Sequence, residues 1–497
     1  MLIRGARVLR GGRLDEADVL VEGDRITAVE AQLAAAPDRE TVDARGFIAV
    51  PGMINAHTHA HNNLLRGLAG RWTLENLLNH AQALNAHRTP EDHYLSAAIG
   101  AVEMLRTGCT AAYDLFMAAP APTPEDIEAV VRAYTDVGLR AVIAPAVGDM
   151  VFYDTVPDLM DLLPKPLRLV VEGIQAAPTA GLLELTEGPI RCWHGSARGR
   201  VQIAVSPTIP TQCTDEFLSG CARLARAHGV GLHTHLSESK TQTVAAARRW
   251  GKTSVAKLDD LGMLGPGFVG AHGVWLTDED IARLGAAGAA IAHNPASNLR
   301  LGGGIAAVRE MLDQGVTVGL GTDGSMSSDN QNLFEAMRIA ALVGNVRFPA
   351  DEARWLETDE VWRMATEGSA RALGLGADLG AIEPGRKADI VLLRADSAFL
   401  RPLNDAMAAL VYRETGADVD TVLVDGKVVM RGGRVLTVDE ERLRARAEEA
   451  AERVRARNGE AWMLAERLAP YISQACRAAA AVPSPINRFA APLPRPA

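Results

Sequence analysis

Several features that would mark other classes of protein are scarce or missing in this 497-residue chain. Its five cysteines are odd in number and form no Cys-X-X-Cys pair, which favours a reduced, cytoplasmic protein over a disulfide framework. No apolar run is long enough to span a membrane, and the arginine-interrupted start is unlike a signal peptide. A net charge of −10 does not supply the basic surface that nucleic-acid binding requires. We therefore expect a small-molecule partner, with neither nucleic acid nor membrane.

The chain has ample apolar sequence for a large core, since 48% of its residues are hydrophobic. Between about residues 50 and 380, short apolar runs alternate with amphipathic helical segments. Such alternation predicts an α/β fold of parallel strands with right-handed crossovers, and eight strands close a (β/α)8 TIM barrel. The eight predicted strands are 48–54, 110–115, 140–147, 201–208, 230–236, 268–275, 289–295 and 317–323.

Short strands at both ends of the chain predict a second, smaller unit. Strand patterns near the start return after residue 388, where Asp425-Gly426 is typical of a hairpin turn. Neither end has enough apolar sequence to fold alone, so we predict one small β-sandwich domain built from both. A charged helix and an extended arm rich in proline and alanine, 478–497, follow it. The predicted divisions are 1–49 and 381–439 for the small domain, 50–380 for the catalytic domain and 440–497 for the C-terminal helix and arm.

Histidine and aspartate occur where the predicted strands end. His57 and His59 stand one residue apart, so both side chains leave a strand on one face and can reach one metal ion. Barrel active sites lie at the C-terminal ends of the strands. Four later strands also end in a candidate metal ligand or acid–base group: His235, His272, His293 and Asp323. Five such strand ends predict a metal site and not a set of unrelated structural histidines.

These residues resemble the amidohydrolase superfamily, and within it the branch of mononuclear deaminases and chlorohydrolases. The resemblance covers nearly the whole chain, including the split β domain. It rests on the motifs Asn55-Ala56-His57-Thr58-His59, Leu64-Leu65-Arg66-Gly67, His235-Leu236-Ser237-Glu238, His293-Asn294-Pro295-Ala296-Ser297-Asn298 and Gly321-Thr322-Asp323-Gly324.

The resemblance implies a metal centre with one divalent ion per chain, zinc being expected and iron or manganese the alternatives. Its ligands would be His57, His59, His235 and Asp323. Binuclear relatives carry a carboxylated lysine after the fourth strand, where this chain has Ser206-Pro207-Thr208, and this favours one metal. Three imidazoles and a carboxylate leave one position for water, whose pKa the metal lowers from about 15.7 toward about 7.

The same resemblance implies catalytic roles for three side chains. His272 would hold the attacking water, and Asp323 can accept its proton while remaining near the metal. Glu238 follows His235 by three residues and can reach the cavity without being a ligand, so it would shuttle protons to the substrate.

We expect hydrolytic attack of metal-bound hydroxide on an sp² carbon, with deamination of a planar nitrogen heterocycle as the favoured reaction. Hydrolysis of an amide or urea, or dechlorination of an s-triazine-like ring, is the main alternative. A deaminase of adenosine derivatives ranks lower, because adenosine-type relatives have a histidine and a glutamate where this chain has Thr208 and Asn85. A non-catalytic assembly subunit is the third class, against which the complete ligand set argues.

The candidate substrate contacts offer flat apolar surface or neutral hydrogen bonds, which suits an uncharged ring. They are Asn63, Trp72, Asn85, Phe116, Thr208, Asn298 and Ser325. We read His61, His80, His233 and His293 as surface, packing or rim residues. The C-terminal arm has little core-forming sequence, so we expect it to pack on a neighbouring subunit of a homodimer.

Overall fold

The computed structural model of the protein describes residues 1–34 and 38–490, which contain a curled parallel sheet and a separate mixed sheet. The strands are β1 Leu2–Arg10, β2 Arg13–Glu22, β3 Arg25–Glu30, β4 Thr41–Asp43, β5 Phe47–Pro51, β6 Met53–Thr58, β7 Cys109–Phe116, β8 Arg140–Val147, β9 Val201–Ile203, β10 Ser206–Pro207, β11 Leu232–Leu236, β12 Phe268–His272, β13 Ala290–His293, β14 Thr317–Leu320, β15 Ile390–Arg394, β16 Val419–Val424, β17 Lys427–Arg431 and β18 Arg434–Val435.

Helices connect most of these strands and form the C-terminal part of the described chain. They are α1 Leu74–Asn85, α2 Pro90–Arg106, α3 Pro124–Val137, α4 Phe152–Thr155, α5 Leu159–Leu162, α6 Lys165–Glu172, α7 Thr179–Trp193, α8 Ser196–Gly199, α9 Asp215–His228, α10 Lys240–Trp250, α11 Ser254–Asp260, α12 Asp278–Ala286, α13 Pro295–Arg300, α14 Val308–Asp313, α15 Leu333–Arg347, α16 Thr358–Arg363, α17 Ser369–Ala372, α18 Ala406–Tyr412, α19 Glu440–Arg457 and α20 Gly459–Ala481.

The parallel strands lie in two groups that meet at both edges. Strands β6 to β10 form one parallel group and β11 to β14 form the other. Parallel bridges pair Thr58 with Asp323 at one junction and Val205 with Leu232 at the other. Buried apolar side chains fill both faces of the strands. The predicted α/β class, with a parallel sheet and an additional β unit, is therefore confirmed.

The first predicted strand, 48–54, is in fact two strands in different sheets. The chain leaves β5 at Pro51 and enters β6 at Met53. A Cβ at Gly52 would overlap the side chain of Thr110, so only glycine permits this close passage. The fourth predicted strand, 201–208, is likewise divided, into β9 and β10.

The strands from the two ends of the chain form one sheet, in the order β18-β17-β16-β15-β5-β1-β2-β3, with β4 paired to β1. Strand β15 pairs antiparallel with β5, which joins the two halves by backbone hydrogen bonds. The sequence predicted a sandwich of two sheets, whereas this pairing makes the strands one continuous sheet of nine. The predicted hairpin is present, with Asp425 at φ 54° and Gly426 at φ 74°.

The C-terminal region differs from prediction at its arm. Helix α19 spans the predicted charged helix, but α20 continues to Ala481, so residues 478–481 are helical. Beyond it the chain returns to its own catalytic region, where the Ile305 N–H donates to the carbonyl oxygen of Arg488 at 2.7 Å. Phe489 packs edge-on against Trp275, with ring centroids 4.8 Å apart. Residues 491–497 of the predicted arm lie outside the described residues.

In residues 1–34 and 38–490, no helix combines the length and the apolar character needed to cross a membrane.

A buried ion pair joins the parallel sheet to the nine-stranded sheet. Arg140, at the start of β8, donates to both carboxylate oxygens of Asp389 at 3.1 and 3.2 Å and to Asp425 at 3.1 Å. Arg140 is only 3% exposed. Because these three charged groups are buried away from water, the charge of each has to be compensated by the others.

We expect Arg140→Ala to lower the stability of the protein by about 3–5 kcal/mol, because the change leaves the buried carboxylate of Asp389 without its cation. Thermal unfolding of the variant and the wild type measures the effect. Arg25→Ala is the matched control, since its pair with Asp378 is largely exposed and worth at most about 1 kcal/mol. Equal melting temperatures for the two variants would show that Arg140 does not hold the sheets together.

Candidate active site

Three imidazoles and a carboxylate converge at the C-terminal ends of the parallel strands. His57 is the second-last residue of β6, His59 follows the end of that strand, and His235 lies in β11. The Nε2 atoms of His59 and His235 are 3.1 Å apart. The Asp323 Oδ1 lies 3.1 Å from the Nε2 of His59 and 3.4 Å from that of His57. All four side chains are buried.

The hydrogen bonds of two of these rings determine which nitrogen carries the proton. The Nδ1 of His59 lies 2.7 Å from the Leu115 carbonyl oxygen, and that of His235 lies 2.7 Å from the Thr208 carbonyl oxygen. A carbonyl oxygen only accepts, so both Nδ1 atoms donate, and in the neutral rings both Nε2 atoms present lone pairs. Two lone pairs 3.1 Å apart cannot satisfy each other, whereas a cation between them satisfies both.

The remaining members of the cluster fit a divalent metal as well. Neither ring nitrogen of His57 has a hydrogen-bond partner among the described residues, although the ring is fully buried. Burial lowers the pKa of His57 to about 3, so the ring is neutral and available as a ligand. Three neutral imidazoles and one carboxylate are a donor set that zinc and related ions prefer.

Asp323 is held by hydroxyl groups so that one oxygen faces the histidines. Its Oδ2 accepts from Ser297 at 2.6 Å and from Ser327 at 2.8 Å, which leaves Oδ1 toward the imidazoles. Burial favours its neutral form, but His57 and His59 outweigh that effect and hold the pKa of Asp323 well below its ordinary value. The residue sits at φ 60°, a strained conformation for a side chain other than glycine.

Glu238 and His272 form a second pair beside the cluster. The Oε1 of Glu238 lies 3.5 Å from the Nε2 of His272, whose Nδ1 lies 2.9 Å from the Asn298 Oδ1. Burial raises the pKa of Glu238 well above its ordinary value, and the charges of Asp323 and Glu75 add to the shift. Its Oε2 has no partner among the described residues. Glu238 is therefore a carboxyl group that can carry a proton next to the cluster.

A cavity of about 220 Å³ opens from this cluster. Helix α1 contributes one apolar wall, and the segments around Phe152 and Ile174, between β8 and β9, contribute another. Glu238 and Asp323 are the acidic side chains of the described lining, which contains no lysine or arginine. The neutral polar lining residues are Asn62, Gln82, Asn85, Gln175, Thr208, Gln212 and Ser327.

Two of the seven predicted substrate contacts line the cavity. Thr208 lies on its wall through the loop after β10, and Asn85 ends α1 there with its Oδ1 unpartnered among the described residues. The structure thus places these two side chains where a substrate can reach them.

The other five predicted contacts are not among the described residues that line the cavity, and each contacts other side chains of the protein, so their contact with substrate stays a prediction. Trp72 stacks on His80 with ring centroids 4.2 Å apart, close to the C-terminal helix. Phe116 is fully buried, edge-on to His93. Asn63 accepts a 2.7 Å hydrogen bond from Ser325, and Asn298 is the partner of His272. Polar residues near a strand end satisfy one another when the turn brings them together, which the linear sequence does not reveal.

Sequence reasoning missed several residues that line the cavity. The apolar wall of α1 uses Leu74, Leu77 and Leu78, whose helical spacing signals a buried face but not a substrate surface. His61 was expected to lie on a loop surface, yet it is buried and lines the cavity. His293 is buried outside the histidine–aspartate cluster, as expected for a rim residue.

Comparison with known proteins identifies the family. A model of the amidohydrolase family matches residues 48–429. The chain belongs to the amidohydrolase family. It is a hydrolase, and the histidines and Asp323 described above lie close enough together to hold a metal ion.

Two curated relatives illustrate the similarity in sequence. A 5'-deoxyadenosine deaminase of Methanosarcina mazei is 35% identical over 464 residues, covering 92% of this chain and 99% of that protein. A 5-methylthioadenosine/S-adenosylhomocysteine deaminase of Desulforudis audaxviator is 35% identical over 470 residues, covering 91% and 99%.

Solved structures of two kinds resemble this amidohydrolase. An atrazine chlorohydrolase from Arthrobacter aurescens TC1, complexed with zinc, has 31% identity and a TM-score of 0.81, and covers 90% of this chain and 99% of its own. An adenosine deaminase from Xanthomonas campestris with bound zinc has 25% identity and a TM-score of 0.81, covering 92% and 98%. Zinc in both supports a divalent metal at the cluster described here.

We expect His59→Ala to weaken zinc binding by more than about 100-fold, because even outer-shell changes cost 10- to 100-fold and this side chain supplies a ligand atom. Metal content of dialysed protein, measured by mass spectrometry, tests this. Glu238→Gln is the control and should retain its metal, since Glu238 lies outside both candidate ligand groups. Full zinc occupancy in His59→Ala would show that the cluster is not the metal site.

Proposed function

We propose that this amidohydrolase catalyses the hydrolytic deamination of a neutral, planar nitrogen heterocycle. The observation that carries the proposal is the connection of the His–Asp cluster and Glu238 to a cavity whose described lining bears no cation. Deaminases among the relatives support the reaction class. The apolar walls and neutral amides support the choice of an uncharged ring.

We infer that the eight parallel strand positions close into a (β/α)8 barrel, with β9 and β10 as two parts of the fourth strand. The bridges at Thr58–Asp323 and Val205–Leu232 support closure at the two junctions. The proposed domain limits are 1–49 with 381–439 for the small β domain, 50–380 for the catalytic domain and 440–497 for the C-terminal region. A homodimer and a cytoplasmic location also stay predictions.

The proposed metal is one zinc ion per chain, held by His57, His59, His235 and Asp323. When bound, it would supply an activated water molecule at neutral pH. The fourth strand position ends in Ser206-Pro207-Thr208, which provides no lysine for a second metal. Ser297 and Ser327 hold Asp323 in the orientation that this ligand set requires.

The chain's own residues then orient water and move protons. The Nδ1 of His272 donates to the Asn298 Oδ1, so its Nε2, which the Asn294 amide approaches at 3.4 Å, presents a lone pair that can accept a hydrogen bond from the attacking water. Asp323 takes up the proton that the water loses. Glu238 transfers its carboxyl proton to a ring nitrogen beside the attacked carbon. Asp323 then passes its proton to the amine, which leaves as ammonia, while Glu238 recovers a proton from the hydroxyl group of the adduct. Apolar lining residues such as Leu77 and Phe152 limit the access of bulk water.

The lining favours a neutral base over an adenosine derivative. S-adenosylhomocysteine carries a carboxylate, for which the described lining offers no lysine or arginine. A ribose diol is well held by a carboxylate, but Glu238 and Asp323 are committed to the reaction. On the cavity wall, Asn85 offers a neutral amide with one acceptor oxygen and two N–H donors, and not a carboxylate.

Hydrolytic dechlorination of an s-triazine is the second candidate function. It is favoured by one observation, the structural likeness to the zinc-bound atrazine chlorohydrolase at a TM-score of 0.81. Attack at an aromatic carbon is common to both reactions, so the leaving group distinguishes them. Hydrolysis of an amide or urea would use the same groups.

We expect Glu238→Gln to lower kcat by at least about 100-fold, because an amide cannot donate and recover the proton that the ring nitrogen needs. Steady-state kinetics on a substrate that the wild type turns over measures the change. Glu414→Gln is the matched control, since Glu414 is a buried carboxyl that accepts from the backbone N–H of Gly416 and does not line the cavity. Normal turnover by Glu238→Gln would assign the proton transfer to another residue.

We expect higher kcat/KM for guanine-like bases, pterins, triazines or aryl ureas than for adenosine, methylthioadenosine or S-adenosylhomocysteine. The reason is the cation-free lining described above. Ammonia release measures deamination, and chloride release from chlorotriazines measures the second candidate reaction. A kcat/KM of about 10⁴ M⁻¹s⁻¹ or more for any adenosine derivative, within the normal enzyme range, would contradict the proposed substrate class.

A further inference from the structure

His61 is a buried histidine on the cavity wall that takes no part in the metal cluster. Its side chain is only 3% exposed and lies in the short 3-10 helix Ala60–Leu65, two residues after His59. The ring centroids of His61 and His59 are 5.1 Å apart. His61 therefore lies next to the reacting end of the cavity, where a bound ring would meet it.

One hydrogen bond determines the tautomer of His61. The backbone N–H of Met117 points at its Nδ1 over 3.1 Å. A backbone N–H only donates, so Nδ1 presents its lone pair and Nε2 carries the hydrogen. The Nε2 atom has no hydrogen-bond partner among the described residues. It is not enclosed by other atoms, and the residue lines the cavity. Its N–H is thus open to the cavity.

Contacts on the other sides hold this N–H in place. Arg88 donates through Nη1 to the carbonyl oxygen of His61, which fixes the backbone. Phe116 packs edge-on to the ring at a centroid distance of 6.2 Å. Turning the ring over would place the Cδ2–H of His61 against the Met117 N–H and leave that donor without an acceptor, so the surrounding backbone determines the orientation.

We propose that His61 is a specificity-determining residue, which donates its Nε2–H to an acceptor on the substrate. The proposal rests on the proposed function. It defines the substrate further, as a heterocycle with a ring nitrogen or exocyclic carbonyl oxygen placed beside the attacked carbon. His61 supplies this donor from the 3-10 helix that follows β6. Thr208, in the loop after β10, has a hydroxyl group and cannot supply an imidazole.

Two substitutions separate this role from a structural one. In His61→Asn, the amide oxygen can occupy the position of Nδ1 and keep the Met117 hydrogen bond, but the donor at Nε2 is lost. In His61→Gln, the amide nitrogen can reach the position of Nε2 and keep the donor, but the Met117 bond is lost. Guanine, pterin and melamine are the probes, and ammonia release and calorimetry give KM, kcat and Kd for each variant with zinc bound.

For the probe that the wild type prefers, we expect His61→Asn to raise KM and Kd about 10- to 100-fold, the effect of leaving a buried acceptor unpaired. His61→Gln should stay within about 5-fold of the wild type. The opposite order, or equal Kd values for His61→Asn and the wild type, would overturn the proposal. If the wild type releases ammonia from none of the probes, the proposed deamination is overturned. The Kd values of the two variants and the wild type still decide the role of His61. Probes that neither bind nor react would overturn both.

A spectroscopic readout is independent of any substrate. Nitrogen NMR of the ¹⁵N-histidine-labelled protein, assigned by the signals lost in His61→Asn, reports which ring nitrogen carries the hydrogen. We expect the hydrogen on Nε2. A hydrogen on Nδ1 would contradict the Met117 contact and with it the proposal.

Discussion

The opposed lone pairs of His59 and His235 are the constraint on which the rest of the site depends. Each ring donates through Nδ1 to a main-chain carbonyl, so neither can turn away without losing that bond. The two Nε2 atoms, 3.1 Å apart, consequently require a cation, and Asp323 supplies the compensating charge. Main-chain carbonyls of β7 and of the segment after β10 therefore hold both rings in the orientation that a metal ion would require.

The substrate wall depends on a part of the chain far from the cluster. Helix α1 lines the cavity on one side and contacts α20 on the other. Asn76 donates to Ser473 at 2.8 Å, and Asn79 donates to the Ala465 carbonyl oxygen at 2.9 Å. The C-terminal helix thus holds the wall against which a substrate would pack, so that region contributes to the site without touching the metal.

In this amidohydrolase, the histidine–aspartate cluster and the apolar wall of the cavity are built from different kinds of secondary structure. Strand ends hold the ligands rigidly, whereas helix α1 and the segments between β8 and β9 shape the wall. Such a division lets one reactive centre serve different rings, because loops and helices can change while the strand ends stay in place. His61 stands at the junction, since it follows a ligand strand but faces the cavity.

The ligand roles of His235 and Asp323 came from the family resemblance. The sequence by itself determined the α/β class, most strand positions, the split β unit and the pair of His57 and His59. These follow from local physics, because apolar runs, i and i+2 histidines and an Asp-Gly turn act over a few residues. Only the tertiary structure decided that Gly52 divides the first strand, that Trp72 packs on His80, and that His61 is buried beside the cavity. Those outcomes depend on partners distant in sequence, such as Thr110 and Met117, whose approach no local pattern encodes.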